Sequence, residues 1–199
     1  MPLTAPNLLT LLRLALIPVF VIVYFLPVTW AHAGSAAFFL AAAITDWLDG
    51  YLARKLDQSS AFGAFLDPVA DKLMVAAALI LIVAHPATPR LLGGHALFAV
   101  VVLIIIGREI AVSALREWMA EVGKRKSVAV SLVGKFKTGV QMAAILLMLY
   151  EHPFADLPTF VLGELLLYLA AGLTLWSMGV YLRAAWPELV KAERARLGR

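Results

Sequence analysis

The sequence predicts an all-α integral membrane protein with six transmembrane helices, from its hydrophobic content, its shortage of charge and a recurring pattern of apolar stretches. Of its 199 residues, 62% are hydrophobic and only 15% are charged, whereas apolar residues make up about 45 to 50% of an average soluble domain. A soluble domain of this size could not cover its surface with so few polar side chains. The composition therefore excludes a soluble globular domain and a disordered chain, and the absence of cysteine excludes disulfide and thiol chemistry.

The six predicted spans follow one another as stretches that carry almost no charge. They cover residues 8–26, 31–45, 73–89, 91–107, 138–150 and 165–182, and Arg13 is the one charged residue within them. A membrane span needs about 17 to 25 residues, so the shorter stretches should continue as helix beyond their polar ends. The sequence shows no internal repeat and no separate soluble segment, so residues 1–199 are predicted to form a single membrane domain.

The basic residues predict how these spans are oriented. The links after the first, third and fifth spans contain one basic residue, Arg90, and the other sixteen of the seventeen lysines and arginines lie in the first span or on the opposite side. The positive-inside rule assigns that side to the cytoplasm, so both termini should be cytoplasmic. The net charge of +4 is then explained by basic residues at the membrane surface, and no nucleic-acid partner is expected.

Aspartates are concentrated where the second span returns to the cytoplasm and the third span leaves it. Placing ionised side chains within the membrane costs free energy, and such residues usually have a function. Their spacing of three or four residues puts them, together with small residues, on one stripe of each helix. The residues on these stripes are Asp46, Asp49, Gly50 and Ala53 on the second helix and Gly63, Asp67 and Asp71 on the third. Two helices joined by a short loop can therefore turn four carboxylates towards one another.

The start of the third helix has two possible readings. Ser60 can cap the helix, with Pro68 kinking it, or Asp67 can cap a shorter helix whose first residue is Pro68. The first reading is favoured because it keeps Gly63 on the carboxylate face.

Four converging carboxylates need positive charge beyond that of the nearby bases Arg54, Lys55 and Lys72. Oxygen ligands without histidine or cysteine suit the hard divalent ions Mg²⁺ or Mn²⁺, and four aspartates suffice for a two-metal site. The glycines and alanine leave bare helix surface for a phosphorylated ligand. Alternatively, these small residues serve only close helix packing.

The stripes resemble the signature of the CDP-alcohol phosphatidyltransferases, which in this chain reads Asp46-x-x-Asp49-Gly50-x-x-Ala53-Arg54, eight intervening residues, then Gly63-x-x-x-Asp67-x-x-x-Asp71. This resemblance implies a six-helix fold, usually a homodimer, in a bacterial inner membrane. It also implies that two metal ions assist the transfer of a phosphatidyl group from CDP-diacylglycerol to an alcohol, with release of CMP.

The same resemblance implies a role for each residue of the signature. The four aspartates would hold the metals, and Asp71 would also be the general base. The residues that would bind the CDP group are Gly50, Ala53, Arg54 and Gly63.

Basic residues near the fourth and fifth spans suggest which alcohol is used. The residues concerned are Arg108, Arg116, Lys135 and Lys137. Arginine suits bidentate phosphate contacts and lysine acts as a point charge, so a phosphorylated acceptor is expected. These segments resemble family members that use glycerol 3-phosphate. The alternative acceptors are inositol phosphate, serine and phosphatidylglycerol, and a divalent-cation transporter is a more distant alternative.

Other polar residues carry weaker predictions. Asn7, Thr10 and Arg13 could face the headgroup site, but Asn7 could equally cap the first helix and Arg13 could extend to the membrane surface. Glu164 is predicted to be interfacial. The four histidines, three of them placed in external loops, show no metal-ligand spacing.

Overall fold

The computed structural model describes residues 5–55, 61–85, 94–123, 132–152 and 158–197, and this part of the chain folds into six α-helices. Their bounds are α1 Ala5–Tyr24, α2 Ala31–Lys55, α3 Ala61–Ala84, α4 Gly94–Glu121, α5 Leu132–Tyr150 and α6 Thr159–Leu197. The prediction of an all-α chain with six helices is confirmed. The shorter apolar stretches do continue as helix past their polar ends, as in α2, which reaches Lys55.

The helices pack around one apolar core. Helix α1 packs against α2 and α3, α5 packs against α6, α2 and α3, and α4 packs against α3 and α6. All six helices contribute buried side chains to the core, with large residues such as Phe20, Phe39, Phe98 and Ile145 almost fully enclosed. Gly163 lets α6 approach α5 closely, because a Cβ atom there would lie 2.8 Å from the carbonyl oxygen of Ala144.

Much of the outer surface of the bundle is apolar. Large hydrophobic side chains point outward along several helices, including Ile22, Leu103 and Trp176, the last of which is 72% exposed. Exposed apolar area of this extent marks a surface that water does not cover. The chain is a membrane protein.

Within the part of the chain that the structure describes, three helices are long and apolar enough to cross a membrane: Asn7–Tyr24, Gly94–Glu121 and Thr159–Lys191. The described side chains of α5 form a shorter apolar helix over Phe136–Tyr150. Helix α3 carries Asp67, Asp71 and Lys72 in its first half, so polar groups shorten its apolar segment.

The start of α3 rules out one of the two readings of its cap, and Ser60, the cap in the other reading, lies outside the described residues. The helix begins at Ala61 and continues through Pro68. Asp67 therefore lies inside the helix, so the reading that made it the N-cap is wrong, and Gly63 and Asp71 share the same helix. This arrangement keeps the carboxylates of α3 in register with its small residue.

Candidate functional site

The first turns of α1 connect the two aspartate-bearing helices. Arg13 donates from Nη1 to Oδ1 of Asp46 on α2, and Thr10 donates from Oγ1 to Oδ1 of Asp67 on α3 at 2.6 Å. Thr10 and Arg13 are three residues apart and so lie on one face of α1. The structure thereby brings Asp46 and Asp67 to the same end of the bundle.

Burial separates the alternatives for α1. Arg13 is 2% exposed and ion-paired, so the reading in which it extends to the membrane surface is wrong. Asn7 is buried and lies within α1, which begins at Ala5, so it is not the N-cap. Both side chains belong to the interior at the aspartate end.

Asp71 lies next to Asp46 and Arg13. Together with Asp46 and Arg13 it lines a narrow crevice between α1, α2 and α3, and it interacts electrostatically with both of them and with Glu109 and Lys72. Asp71 is exposed, and the side chain of Asp46 is 42% exposed. The structure therefore brings Asp46, Asp67 and Asp71 together with open access to two of them.

Five of the predicted site residues belong to α2 and α5 but lie outside the residues whose side chains the structure describes. They are Asp49, Gly50, Ala53, Arg54 and Lys135. Gly63 is described and is buried on α3.

A buried charge cluster lies beside the aspartates. Lys137 on α5 donates from Nζ to Oε1 of Glu109 on α4 at 2.6 Å, and Arg108 donates from Nη1 to the same oxygen at 3.2 Å. Arg108 also donates from Nη2 to Oγ of Ser177 on α6 at 2.9 Å. Both cations are at least nine-tenths buried, so Glu109 balances part of their charge where water cannot.

The second arginine of α4 is held by an aromatic residue. Arg116 donates from Nη2 to the hydroxyl of Tyr181 at 3.2 Å, and its guanidinium carbon lies 5.2 Å from the centre of that ring. The guanidinium carbon of Arg108 lies 5.9 Å from the same centre. Tyr181 therefore fixes both arginines through a hydrogen bond and through cation–π contacts.

A cavity of about 450 Å³ lies between Asp71 and the two arginines. Its volume falls in the range of about 300 to 1,000 Å³ that is typical of small-molecule sites. The charged residues in its wall are Asp71, Lys72, Arg108, Glu109 and Arg116. Three cations face two carboxylates there, so the cavity suits an anionic ligand placed within reach of Asp71.

The sequence reasoning missed Glu109, Ser177 and Tyr181 as members of this region. Glu109 had a usable signal, since a carboxylate beside an apolar stretch is costly unless it has a function or a partner. Ser177 and Tyr181 carried no signal, because they come from a helix that is distant in sequence.

Two weaker predictions are corrected. Glu164 is fully buried and accepts a hydrogen bond from the hydroxyl of Tyr168 at 2.6 Å, so it is not an interfacial residue. His32 lies in α2 and comes together with His85 and Glu151 as a group that could hold a metal ion. The histidines show no metal-ligand spacing in the sequence because this group is assembled from the ends of three helices.

Comparison with known proteins gives one family and a consistent group of relatives. The family model of the CDP-alcohol phosphatidyltransferases matches residues 3–176. A protein of Pseudomonas fluorescens named CDP-diacylglycerol–glycerol-3-phosphate 3-phosphatidyltransferase is 51% identical over 185 residues, which cover 92% of this chain and 91% of the relative.

Two further relatives bear the same name. The protein from Yersinia pestis (strain Pestoides F) is 49% identical over 96% of this chain and 100% of its own length. The protein from Shigella flexneri serotype 5b (strain 8401) is 50% identical over 93% of this chain and 96% of its own length. Similarity therefore extends along nearly the whole chain and is not confined to the aspartate motif.

Proposed function

The chain belongs to the CDP-alcohol phosphatidyltransferase family, and from this we propose that it transfers the phosphatidyl group of CDP-diacylglycerol to glycerol 3-phosphate. The products are phosphatidylglycerol phosphate and CMP. The observation that carries the proposal is an identity of 49 to 51% over nearly the full length of relatives named for this reaction. The cationic cavity beside Asp71 supports an acceptor that bears a phosphate.

The acceptor is bound by the basic wall of the cavity. Arg108 and Arg116 are positioned by Ser177 and Tyr181, respectively, and direct positive charge at a phosphate within the cavity. Lys137 lies behind Arg108 and shares Glu109 with it. Lys135 is proposed to add to the same positive field.

Asp71 is proposed to act as the general base. It lines the cavity that receives the acceptor, so a hydroxyl bound there can pass its proton to the carboxylate as the oxygen attacks. The acceptor oxygen forms a bond to the phosphorus of the phosphatidyl group. The bond from that phosphorus to the oxygen of the CMP phosphate breaks, and CMP leaves with the bonding electrons.

The aspartates fit a pair of hard divalent ions. The described members of the set offer only carboxylate oxygens, and Asp46 and Asp71 line one crevice and are accessible. Such donors suit Mg²⁺ or Mn²⁺. We propose that Asp46, Asp49, Asp67 and Asp71 hold two of these ions, which when bound would stabilise the negative charge that develops on the phosphate oxygens.

The donor is proposed to lie against the small residues next to the aspartates. The CDP group would contact Gly50, Ala53, Arg54 and Gly63. The acyl chains of the donor can remain in the bilayer beside the apolar outer surface of the helices. In this arrangement a lipid donor and water-soluble acceptor meet at one end of the bundle.

The remaining proposals concern placement in the cell. We infer that all six helices cross the inner membrane of a bacterium, that both termini are cytoplasmic, and that the aspartates lie at the cytoplasmic side. Fifteen of the seventeen lysines and arginines lie on the side predicted to be cytoplasmic, Arg13 lies within the first span and Arg90 lies on the other side, which supports this orientation. A homodimer surrounded by membrane lipid is proposed as the working form.

An acceptor panel tests the reaction. The purified chain is given CDP-diacylglycerol, Mg²⁺ and one acceptor at a time, and CMP release is measured. We expect release with glycerol 3-phosphate and little with serine, inositol phosphate or phosphatidylglycerol. Faster release with one of those three would replace the acceptor and retain the reaction type, whereas no release with any acceptor would overturn the proposal.

A variant of Arg108 tests the acceptor pocket. Arg108→Ala removes the guanidinium that lines the cavity, so the KM for glycerol 3-phosphate should rise by roughly 10- to 100-fold, as expected for loss of a charged hydrogen bond of about 1.5 to 3 kcal/mol. The KM for CDP-diacylglycerol should change by less than about threefold. Arg183→Ala, at an exposed position on α6, is the matched control. An effect confined to the donor KM would remove Arg108 from the acceptor pocket.

A further inference from the structure

Three metal-ligand side chains meet at the end of the bundle opposite the aspartates. His32 lies in the first turn of α2, His85 directly follows α3, and Glu151 directly follows α5. One ligand atom from each residue lies within 4.8 Å of the other two. About 21 Å of helix separates His32 from Asp46 at a rise of about 1.5 Å per residue, so this group is distinct from the proposed transfer site.

The donor set favours a transition metal over the hard ions proposed for the aspartates. Two imidazoles and one carboxylate form a set that zinc uses with a fourth, open position. Tetrahedral ligands with bonds of about 2.0 to 2.1 Å are about 3.3 Å apart. Nδ1 of His32 lies 3.2 Å from Oε2 of Glu151, so this pair already has the separation that one zinc ion requires.

The ring nitrogen of His32 faces a carboxylate without forming a hydrogen bond to it. Its Nδ1 atom is buried and makes no hydrogen bond to any residue that the structure describes, even though the Glu151 carboxylate is within ion-pair distance. A buried polar atom without a hydrogen bond is destabilising. A metal bound between the two groups would use this nitrogen as a ligand.

The backbone at Glu151 supports the same reading. Among the described residues other than glycine, Glu151 alone has a positive φ, at 58°, and this conformation is unfavourable for an L-residue. Glycine is the usual residue at such a position after a helix. The conformation ends α5 at Tyr150 and brings the carboxylate to His32.

The position of the group allows a metal to enter. His32 and Glu151 are each 26% exposed, so the site is partly open to the aqueous phase. In the sequence, the three links at this end of the bundle contain one basic residue, Arg90, so few cations oppose an incoming dication.

A different reading is that the histidines serve only ring packing. Edge-to-face contacts join His32 to Tyr24 at 5.6 Å and to His85 at 5.6 Å between ring centres. Such packing, together with the ion pair between His32 and Glu151, needs no metal. The two readings differ in whether zinc binds.

We propose that His32, His85 and Glu151 bind one Zn²⁺ ion, with water in the fourth position, and that this ion joins the ends of α2, α3 and α5. The proposal is independent of the transfer reaction. It predicts a preference for Zn²⁺ over Mg²⁺ and Ca²⁺, because imidazole nitrogen is a poor ligand for the hard ions.

Zinc competition measures this site directly. The purified full-length chain is titrated with Zn²⁺ against a chromophoric chelator, with excess Mg²⁺ present to occupy oxygen-ligand sites. We expect one tightly bound Zn²⁺ per chain. The double variant His32→Ala/His85→Ala should lose at least about 100-fold in affinity, since even groups that only support a metal ligand cost about 10- to 100-fold when removed.

Two further variants keep the test independent of folding. Glu151→Gln preserves the shape of the side chain and should weaken zinc binding at least about 10-fold. It should also remove the rise in unfolding temperature that Zn²⁺ gives the unaltered chain. His95→Ala, at an exposed histidine of α4 outside the group, should bind like the unaltered chain. Equal zinc binding by the unaltered chain, the double variant and Glu151→Gln would show that the rings only pack against one another.

Discussion

Asp71→Asn is expected to abolish phosphatidyl transfer and to leave the chain folded. Asparagine has nearly the same shape as aspartate, but its amide cannot take the proton of the acceptor hydroxyl. Asp71 lines the cavity next to Arg108 and is in electrostatic contact with Asp46, so both the proposed base and a proposed metal ligand are lost. General-base catalysis alone accounts for about 10²- to 10⁴-fold in rate.

The measurement is the kcat for CMP release with saturating glycerol 3-phosphate and CDP-diacylglycerol. We expect a fall of at least about 1,000-fold, together with an unfolding temperature close to that of the unaltered chain. Donor binding, measured separately with radiolabelled CDP-diacylglycerol, should remain detectable. Turnover within tenfold of the original would reject Asp71 as the base.

Glu109→Gln should have the largest effect on stability. The carboxylate accepts hydrogen bonds from Lys137 and Arg108, which are 1% and 7% exposed in their side chains. Removing its charge leaves two buried cations beside each other, and breaking a buried pair in this way costs about 3 to 5 kcal/mol. Glu109 itself is 29% exposed, which places the expected loss near the lower end of that range.

Unfolding of the purified protein in detergent gives this quantity. Glu117→Gln, at an exposed position on the same helix, should change the free energy of unfolding by less than about 0.5 kcal/mol. In the double variant Glu109→Gln/Lys137→Met, part of the loss should return because one unpaired cation is also removed. Equal stability of the Glu109 and Glu117 variants would contradict the buried-pair argument.

The helices and the local register of the site could be predicted from the sequence because both depend on short-range spacing. Apolar stretches predicted where helices run, and the two aspartate-bearing helices are observed as α2, which reaches Lys55, and α3, which begins at Ala61. Residues four apart, such as Asp67 and Asp71, lie on one face of a helix whatever the rest of the chain does. The spacing alone did not decide whether α3 starts before or at Pro68. The earlier start was preferred because it keeps Gly63 on the same face as the carboxylates.

Contacts between distant segments could not be predicted in this way. Arg13 and Asp46 are 33 residues apart, and Arg108 and Ser177 are 69 apart. No periodicity within one helix indicates such a pair. Periodicity also does not indicate that His32 lies near His85 and Glu151, which come from the ends of two other helices. Nor does it indicate the burial of Glu164, which depends on how α6 packs.

The hydrogen bonds from α1 to both aspartate-bearing helices have a practical consequence for handling the protein. Thr10 and Arg13 sit within the first three turns after Ala5 and hold Asp67 and Asp46. A short N-terminal deletion, or a rigid fusion partner joined there, would disturb these two carboxylates, which are proposed metal ligands, from a distance. Affinity tags therefore belong at the far end of α6.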